Sequence, residues 1–370
     1  MILQSNPKEN YLAHRTEIDA AIARVLESGW YILGQEVAQF EAAFATAMNA
    51  PWSVGVANGT DAIELALRVL GVVPGDGVLT VSHTAVATVA AIARIGAHPV
   101  FVDIDPLRFT MSPASLEDAL DTPAGQAAKA LVVVHLYGMP ADMPAILELA
   151  KQHDLPVVED CAQAHGATLQ GRTVDTWGDL GCFSFYPTKN LGALGDGGAV
   201  IGRDSALEER GRLLREYGWR TRYVSESFGL NSRLDEIQAA ILRAKLPHLA
   251  DENQRRRALA GQYDELLMGS GVEIPVRYTD TEHVFHQYVI RATQRDTLKD
   301  ALRELGIATL IHYPLAVHQQ PAYQAQELSP VPLKYTEASM AHILSLPMYP
   351  EMTDTQVAQV SSALHRLTSA

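Results

Sequence analysis

The chain has 370 residues, of which 47% are hydrophobic and 19% charged, a composition that excludes a disordered protein. Its net charge of −14 repels phosphate backbones, so we expect no nucleic-acid binding. Two cysteines are too few for a disulfide scaffold, and the sequence shows neither a signal peptide nor a run of about 18 apolar residues, so we expect a soluble, cytoplasmic protein without a membrane segment.

Helix-like and strand-like segments alternate through the first 200 residues. Apolar residues at helical spacing predict helices over 16–28 (ending at Gly29), 36–47, 61–71 and 144–154. Short β-branched runs predict strands at 53–57, 78–82, 99–104, 131–137, 156–161, 182–186 and 198–202. This alternation indicates a mostly parallel sheet covered by helices on both faces. The last two strands have little helix between them, which favours antiparallel pairing there.

The pattern changes after residue 205. Long polar helices are predicted over 205–218 and 234–267, followed by strand-like segments at 283–292 and 309–314 that alternate with helices. We therefore predict an α/β fold with two domains. Residues 1–245 would form a three-layer α/β/α domain around a mixed, mostly parallel seven-stranded sheet, and residues 246–370 a smaller α+β domain tethered by a long helix.

A short polar turn, residues 57–60, separates a predicted strand from a predicted helix. Backbone N–H groups at the start of a helix lack partners and the helix dipole favours an anion, while Thr60 adds a hydroxyl donor. An ordinary helix cap formed by Asn58 or Thr60 explains the same residues. Taken alone, the turn favours the cap.

The predicted strand at 156–161 ends in two carboxylates, Glu159 and Asp160. An unpaired carboxylate at the end of a buried strand is costly, so it needs a partner such as a cationic ring nitrogen of a cofactor. Pairing with an arginine, or capping of the next helix, is equally consistent with the sequence.

Lys189 lies among aromatic, proline and glycine residues in the segments 184–192 and 195–198. Desolvation in such surroundings lowers the pKa of an amine and makes it a usable nucleophile for a Schiff base. The glycines permit a bulky ligand to approach the backbone closely. A solvated lysine on a surface loop is the alternative, but it does not explain the crowding of small and aromatic residues.

Residues 229–236 open a polar helix. Asn231 or Ser232 either caps this helix or reaches a ligand held by a second subunit, and the spacing alone favours the cap.

Other motifs are missing from the sequence. It contains no GxxxxGK[ST] loop, no HExxH and no zinc-type spacing of His and Cys, so we expect no metal. The glycine-rich run 192–197 follows Lys189 instead of opening a βαβ unit, which does not favour a dinucleotide site.

Together the four features match the requirements of pyridoxal phosphate (PLP). This cofactor needs a phosphate cradle, a carboxylate for its ring nitrogen and a lysine for a Schiff base. We therefore predict PLP as the cofactor. Its ring would act as the electron sink, and the released lysine would carry the proton.

The sequence resembles the DegT/StrS-type nucleotide-sugar aminotransferases, which have the aspartate-aminotransferase (type I) fold. The resemblance covers nearly the whole chain, through the segments 28–34, 57–67, 82–92, 159–167, 183–199, 229–242, 311–323 and 344–353. It implies an enzyme that transfers an amino group in deoxyamino-sugar and glycan biosynthesis, such as that of lipopolysaccharide.

The resemblance also implies roles for individual residues. Lys189 would bind PLP covalently, Asp160 would pair with the pyridine nitrogen and Gln163 would contact the ring hydroxyl. His83 occupies the position whose side chain stacks on the ring, with Ala85 two residues further on. The phosphate would be held by Gly59, Thr60, Ser184 and, from the neighbouring subunit of a homodimer with shared active sites, Asn231.

The resemblance extends to the substrate. Sugar 3-dehydratases of this family carry histidine in place of Lys189, so the lysine indicates transamination. Members that act at carbon 3 of the hexose resemble the run 189–199, KNLGALGDGGA, which favours a dTDP-linked 3-keto-6-deoxyhexose as acceptor and L-glutamate as amino donor. The residues implied for the sugar diphosphate are Tyr186, Tyr313 and, from the partner subunit, Arg220 or Arg222.

Three alternatives stay open on the sequence. The first is another PLP reaction, on a 4-keto sugar or a cyclitol. The second is a regulatory protein that kept the fold without catalysis. The third is an NAD-dependent dehydrogenase, although SVGVANGTDA stands where a GxGxxG motif would be required.

Overall fold

A computed structural model describes residues 1–324 and 329–368. Its helices are Pro7–Ala13 (α1), Arg15–Ser28 (α2), Gln35–Ala47 (α3), Gly59–Val69 (α4), Val86–Arg94 (α5), Pro113–Leu120 (α6), Pro123–Gln126 (α7), Met143–Gln152 (α8), Ser205–Arg215 (α9), Glu236–Lys245 (α10), Leu249–Leu266 (α11), Arg295–Glu304 (α12), Lys334–Met340 (α13) and Asp354–Thr368 (α14). Short 3₁₀ turns lie at Leu136–Gly138, Leu246–His248 and Val317–Gln319.

The strands are short, as the β-branched runs predict. They are Trp52–Val56 (β1), Gly77–Val81 (β2), His98–Val102 (β3), Ala128–Val134 (β4), Val157–Asp160 (β5), Thr168–Leu169 (β6), Arg172–Thr173 (β7), Leu180–Ser184 (β8), Gly198–Gly202 (β9), Trp219–Thr221 (β10), Val224–Ser225 (β11), Thr281–Glu282 (β12), Tyr288–Arg291 (β13) and Ile343–Leu346 (β14).

The main sheet has the strand order β1-β9-β8-β5-β4-β2-β3. The strands from β8 to β3 run parallel, whereas β9 pairs antiparallel with both β8 and β1. Alternate residues of β4 enter opposite cores, Leu131 and Val133 on one face and Ala130 and Val132 on the other. The prediction of a mixed, mostly parallel seven-stranded sheet is confirmed over the described residues.

A separate core forms from the C-terminal part of the chain. Tyr263 of α11, Tyr288 of β13, Leu344 of β14 and Val360 of α14 pack together, and Ile2 joins them from the start of the chain. The division at residues 245/246 stays a prediction. It is supported by the end of α10 at Lys245 and by this distinct core.

Two predicted elements in this half are wrong. The long helix 234–267 is broken, because Pro247 cannot donate a helical hydrogen bond and a 3₁₀ turn separates α10 from α11. The segment 309–314 forms an isolated bridge between Leu310 and Ser345 instead of a strand. Two of its backbone groups are not available for strand pairing. The carbonyl of His312 accepts a hydrogen bond from the Tyr137 hydroxyl, and Pro314 has no N–H.

Within the described residues, every helix is either too short or too polar to cross a lipid bilayer.

Candidate active site

A cavity of about 250 Å³ opens where the strands β4, β5 and β8 end. Open α/β sheets bind their ligands at this carboxyl edge. The predicted site residues that line the cavity are Gly59, Thr60, Asp160, Gln163, Ser184, Tyr186 and Lys189. The fold thus brings together side chains from three of the four motifs.

One wall of the cavity is the start of α4. Asn58 caps this helix, because its Oδ1 accepts a hydrogen bond of 2.9 Å from the N–H of Asp61. The cap does not exclude an anion, since other N–H groups of the first turn remain without helical partners. A Cβ atom on Gly59 would lie 2.6 Å from Cβ of Ser184. Glycine is therefore required for α4 to approach the end of β8 this closely.

Ser232 supports the same wall from the side. Its hydroxyl donates to Oδ2 of Asp61 at 2.6 Å and accepts from the N–H of Ala57 at 3.0 Å. The helix-cap reading of Asn231 and Ser232 is wrong, because α10 begins only at Glu236. Ser232 points into its own chain, while its neighbour Asn231 is exposed.

Asp160 ends β5 and is only 5% exposed. Its Oδ2 accepts a hydrogen bond of 2.8 Å from the Thr88 hydroxyl, and its Oδ1 accepts one of 3.1 Å from the N–H of Ala162. Burial raises the pKa of this carboxyl, while the two donors and the charge of Lys189 act in the opposite direction. The arginine partner left open by the sequence is not among these contacts, and a cationic ring nitrogen would suit the carboxylate.

Lys189 lies in the turn after β8, on the same cavity. Its backbone N–H donates to the carbonyl of Tyr186 at 2.8 Å, which fixes the turn. Burial lowers the pKa of its amine from the ordinary 10.5 to about 8, with Asp160 opposing the shift. Because Lys189 is half-buried and lines the cavity, the structure does not support a solvated surface lysine. At a pKa of about 8, about a tenth of this amine is unprotonated at pH 7.

Gln163 links the cavity to the C-terminal half of the chain. Its Oε1 accepts a hydrogen bond of 2.7 Å from the N–H of Tyr137, and its Nε2 donates to the Tyr313 hydroxyl at 3.1 Å. These contacts fix the orientation of the amide and leave its second N–H for a ligand. Burial raises the pKa of Tyr313 to about 12, so this phenol stays a neutral hydrogen-bonding group.

The stacking of His83 on the cofactor ring stays a prediction. It is 1% exposed, its Nε2 hydrogen-bonds the Tyr137 hydroxyl at 2.9 Å, and its ring meets Phe109 edge to face. Burial lowers its pKa to about 4. Among the described residues, Thr84, Ala85 and Ala87 supply this segment's part of the cavity lining, and His83 does not. The structure therefore gives no support to stacking by His83, because Tyr137 and Phe109 hold its ring behind the wall.

Arg220 and Arg222 lie outside the cavity of their own chain. They line an open cleft of about 620 Å³ together with Trp30, Tyr31 and Trp219. Arg220 pairs with Glu209 and, at 2.9 Å, with Glu226. A contribution of these arginines to the site of a partner subunit stays a prediction.

Two groups of metal-ligand side-chain types also come together, from segments too distant in sequence for spacing to detect. In one, His248 hydrogen-bonds Glu17 at 2.8 Å, and in the other His135 hydrogen-bonds Glu159 at 2.9 Å. The hydrogen bonds explain why the side chains of each group lie close together without a metal ion.

The sequence matches the DegT/DnrJ/EryC1/StrS aminotransferase family over residues 13–365. The chain belongs to this family. Such a match spans both the sheet and the C-terminal core, so the resemblance deduced from motifs is confirmed.

Relatives of known name are similar along their whole length. The UDP-N-acetyl-3-dehydro-α-D-glucosamine 3-aminotransferase of Acidithiobacillus ferrooxidans is 46% identical over 355 residues, which cover 95% of this chain and 94% of that protein. The dTDP-3-amino-3,4,6-trideoxy-α-D-glucose transaminase of Streptomyces venezuelae is 47% identical over 358 residues, covering 96% and 93%.

Among solved structures, S. venezuelae DesV in complex with a ketimine intermediate superposes with a TM-score of 0.96 at 45% identity. The match covers 100% of this chain and 99% of that one. The protein is thus a PLP-dependent aminotransferase, and the prediction of an enzyme is confirmed against the dehydrogenase alternative. The residues of the cavity fit the cofactor: a glycine cradle at a helix start, a buried carboxylate without an arginine partner, and an amine of lowered pKa.

We expect Gly59→Ala to weaken PLP binding at least tenfold, about 1.4 kcal/mol, because the new Cβ would lie within contact distance of Ser184 and fill the cradle. The dissociation constant would be measured by titrating the apoprotein with PLP. Gly261→Ala is the matched control, since its Cβ would meet nothing within 4 Å, and it should leave PLP affinity unchanged. Wild-type affinity in G59A would contradict the cradle.

The lowered pKa of Lys189 predicts a pH profile. The unprotonated amine is the reactive form, so the rate at which apoprotein captures PLP covalently should rise with pH, reach half its maximum near pH 8 and level off above about pH 9. Stopped-flow absorbance measures this rate, and Lys189→Ala should abolish it. A rate that still climbs at pH 10 would indicate an ordinary, solvated lysine.

Proposed function

We propose that this aminotransferase moves the amino group of L-glutamate to carbon 3 of a nucleotide-linked keto sugar, with a dTDP-linked 3-keto-6-deoxyhexose as the favoured acceptor. Glutamate leaves as 2-oxoglutarate, and the amino group replaces the keto oxygen of the sugar. The observation that carries the proposal is the placement of Lys189 and Asp160 on one cavity whose opposite wall is a glycine-based anion cradle.

The choice of carbon 3 is supported by the relatives. Both sequence relatives are named for a 3-amino or 3-aminotransferase activity, whereas their nucleotides differ, one being UDP and the other dTDP. The A. ferrooxidans relative makes a UDP-linked acetamido sugar the second candidate acceptor. A 4-keto sugar or a cyclitol lacks such support.

PLP would be held by groups from three segments of the chain. Gly59, Thr60 and Ser184 would bind its phosphate, Gln163 its ring hydroxyl, Asp160 its ring nitrogen and Lys189 its aldehyde carbon. The cofactor supplies an electron sink for the bonds of the substrate's amine-bearing carbon. Asp160 holds a proton on the ring nitrogen, because a buried carboxylate is stabilised by a cation beside it.

Lys189 also moves the proton of the reaction. When it is not bonded to PLP, its amine would take the proton from the α-carbon of glutamate and would pass it to the cofactor. An amine with a pKa of about 8 serves both steps, because both of its protonation states are populated near neutral pH.

The substrate charge points to a homodimer with shared sites. Among the residues described, Lys189 is the only cationic side chain on the cavity lining, beside the carboxylates Asp160 and Asp196. A sugar diphosphate needs more positive charge than this. We infer that Asn231 and Arg220 or Arg222 of the partner subunit complete the site, while Tyr186 and Tyr313 of the first subunit contact the sugar diphosphate.

Exposed aromatic side chains also support this arrangement. Phe228 is 97% exposed, and Trp30 and Tyr223 are also largely exposed. An apolar surface of this kind is typical of a protein interface. A cytoplasmic location and a place in deoxyamino-sugar synthesis for a glycan such as lipopolysaccharide complete the proposal.

The first test is an absorbance spectrum of the purified holoenzyme before and after L-glutamate is added. We expect the yellow band of lysine-bound PLP to convert to the pyridoxamine form, and then to recover with dTDP- or UDP-linked 3-keto sugars. Lys189→Ala should lack the yellow band while keeping its circular dichroism spectrum. Recovery with 4-keto sugars or cyclitols alone would contradict the assignment to carbon 3.

The shared site predicts complementation between two defective variants. Asn231→Ala should bind PLP about tenfold more weakly although Asn231 is exposed in its own chain, because one hydrogen bond to phosphate is lost. Dimers that pair this variant with K189A contain one site with both wild-type residues, and should recover activity per mixed dimer close to half that of the wild type. No recovery in verified mixed dimers would mean that Asn231 does not serve its partner.

A further inference from the structure

We propose that Thr88 is a positioning residue that orients the Asp160 carboxylate and stabilises its ionised form. Thr84 supports Thr88 through a hydrogen bond between the two hydroxyls. The proposal rests on the ring-nitrogen role proposed for Asp160. Neither threonine was singled out by the sequence, in which both belong to the segment 82–92 that carries the family resemblance.

The geometry joins three buried groups in a row. The Thr84 and Thr88 hydroxyls lie 2.9 Å apart, and the Thr88 hydroxyl donates to Oδ2 of Asp160 at 2.8 Å. Both threonines are fully buried, and Thr84 lines the cavity. Thr88 lies in the first turn of α5, and Thr84 lies two residues before this helix begins at Val86.

The direction of the hydrogen bonds follows from the charge of Asp160. An ionised carboxylate only accepts, so the single proton of the Thr88 hydroxyl is committed to Oδ2. The Thr84 hydroxyl must therefore donate to the Thr88 oxygen. With the Ala162 N–H on Oδ1, each carboxylate oxygen has one protein donor, and the plane of the carboxylate is fixed.

Thr88 differs from Thr46, a threonine in the helix α3. The Thr46 hydroxyl donates back to the carbonyl of Ala42, four residues earlier, at 2.9 Å. Such bonds satisfy the hydroxyl locally. Thr88 instead reaches across to β5, to a residue 72 positions away. Its hydroxyl serves the carboxylate and not its own helix.

The test compares Thr88→Val with Thr88→Ser in PLP titrations of the apoprotein and in single turnovers of the holoenzyme with L-glutamate. Valine keeps the shape of threonine but removes the donor. We expect T88V to raise the PLP dissociation constant about tenfold and to lower kcat of the half-reaction ten- to hundredfold, the range for a hydrogen bond to a charged group. KM for glutamate should change less than twofold, and T88S should restore both values to within about threefold.

The matched control is Thr80→Val, which removes a buried hydroxyl that donates to the carbonyl of Val132 at 3.0 Å, away from Asp160. T80V should leave both quantities unchanged. If T88V behaves like the wild type while Asp160→Asn is defective, the role of Thr88 is refuted and that of Asp160 stands. If D160N is also unaffected, the proposed role of Asp160 fails. Should T88V not fold, Thr88→Ala provides the same comparison, and equal defects in T88S and T88A would refute the proposal.

Discussion

The buried carboxylate of Asp160 is the constraint around which the site is arranged. An ion in this position is costly unless donors and a cation compensate for lost water. Two protein donors, from Thr88 and Ala162, meet its oxygens, and the amine of Lys189 adds a favourable charge. The remaining need is a cation in the cavity. A protonated ring nitrogen would meet that need, so the interaction proposed to bind the cofactor would also make it an electron sink.

The parallel sheet is what brings these groups together. Because β5 and β8 are adjacent and parallel, Asp160 and the turn holding Lys189 leave the sheet at one edge. The antiparallel β9 then leads back to β1, so that the start of α4 meets the end of β8 at Gly59. The C-terminal half closes the other side through the contact between Gln163 and Tyr313. The backbone positions of these strands and of α4 therefore decide which side chains meet at the site.

Much of this could be predicted from local patterns. Lys189, Asp160 and Gly59 lie in short segments whose residue types are unusual for strands or caps, and the structure places all three on one cavity. The packing of His83 against Tyr137 and Phe109 could not be predicted, because both neighbours come from other segments and no local signal gives the direction of a buried ring. The strand expected at 309–314 failed for a similar reason: its backbone groups are engaged by Tyr137 and by the break at Pro314.

The sequence by itself determined the class of the fold and the cofactor and singled out candidate site residues, because apolar periodicity and motif composition are properties of short stretches of chain. Tertiary structure alone decided which hydroxyl faces Asp160, how far burial lowers the pKa of Lys189, and that Ser232 turns inward while Asn231 stays exposed. These depend on distances between residues tens or hundreds of positions apart. Burial and hydrogen bonding act through space, and a linear pattern does not contain those distances.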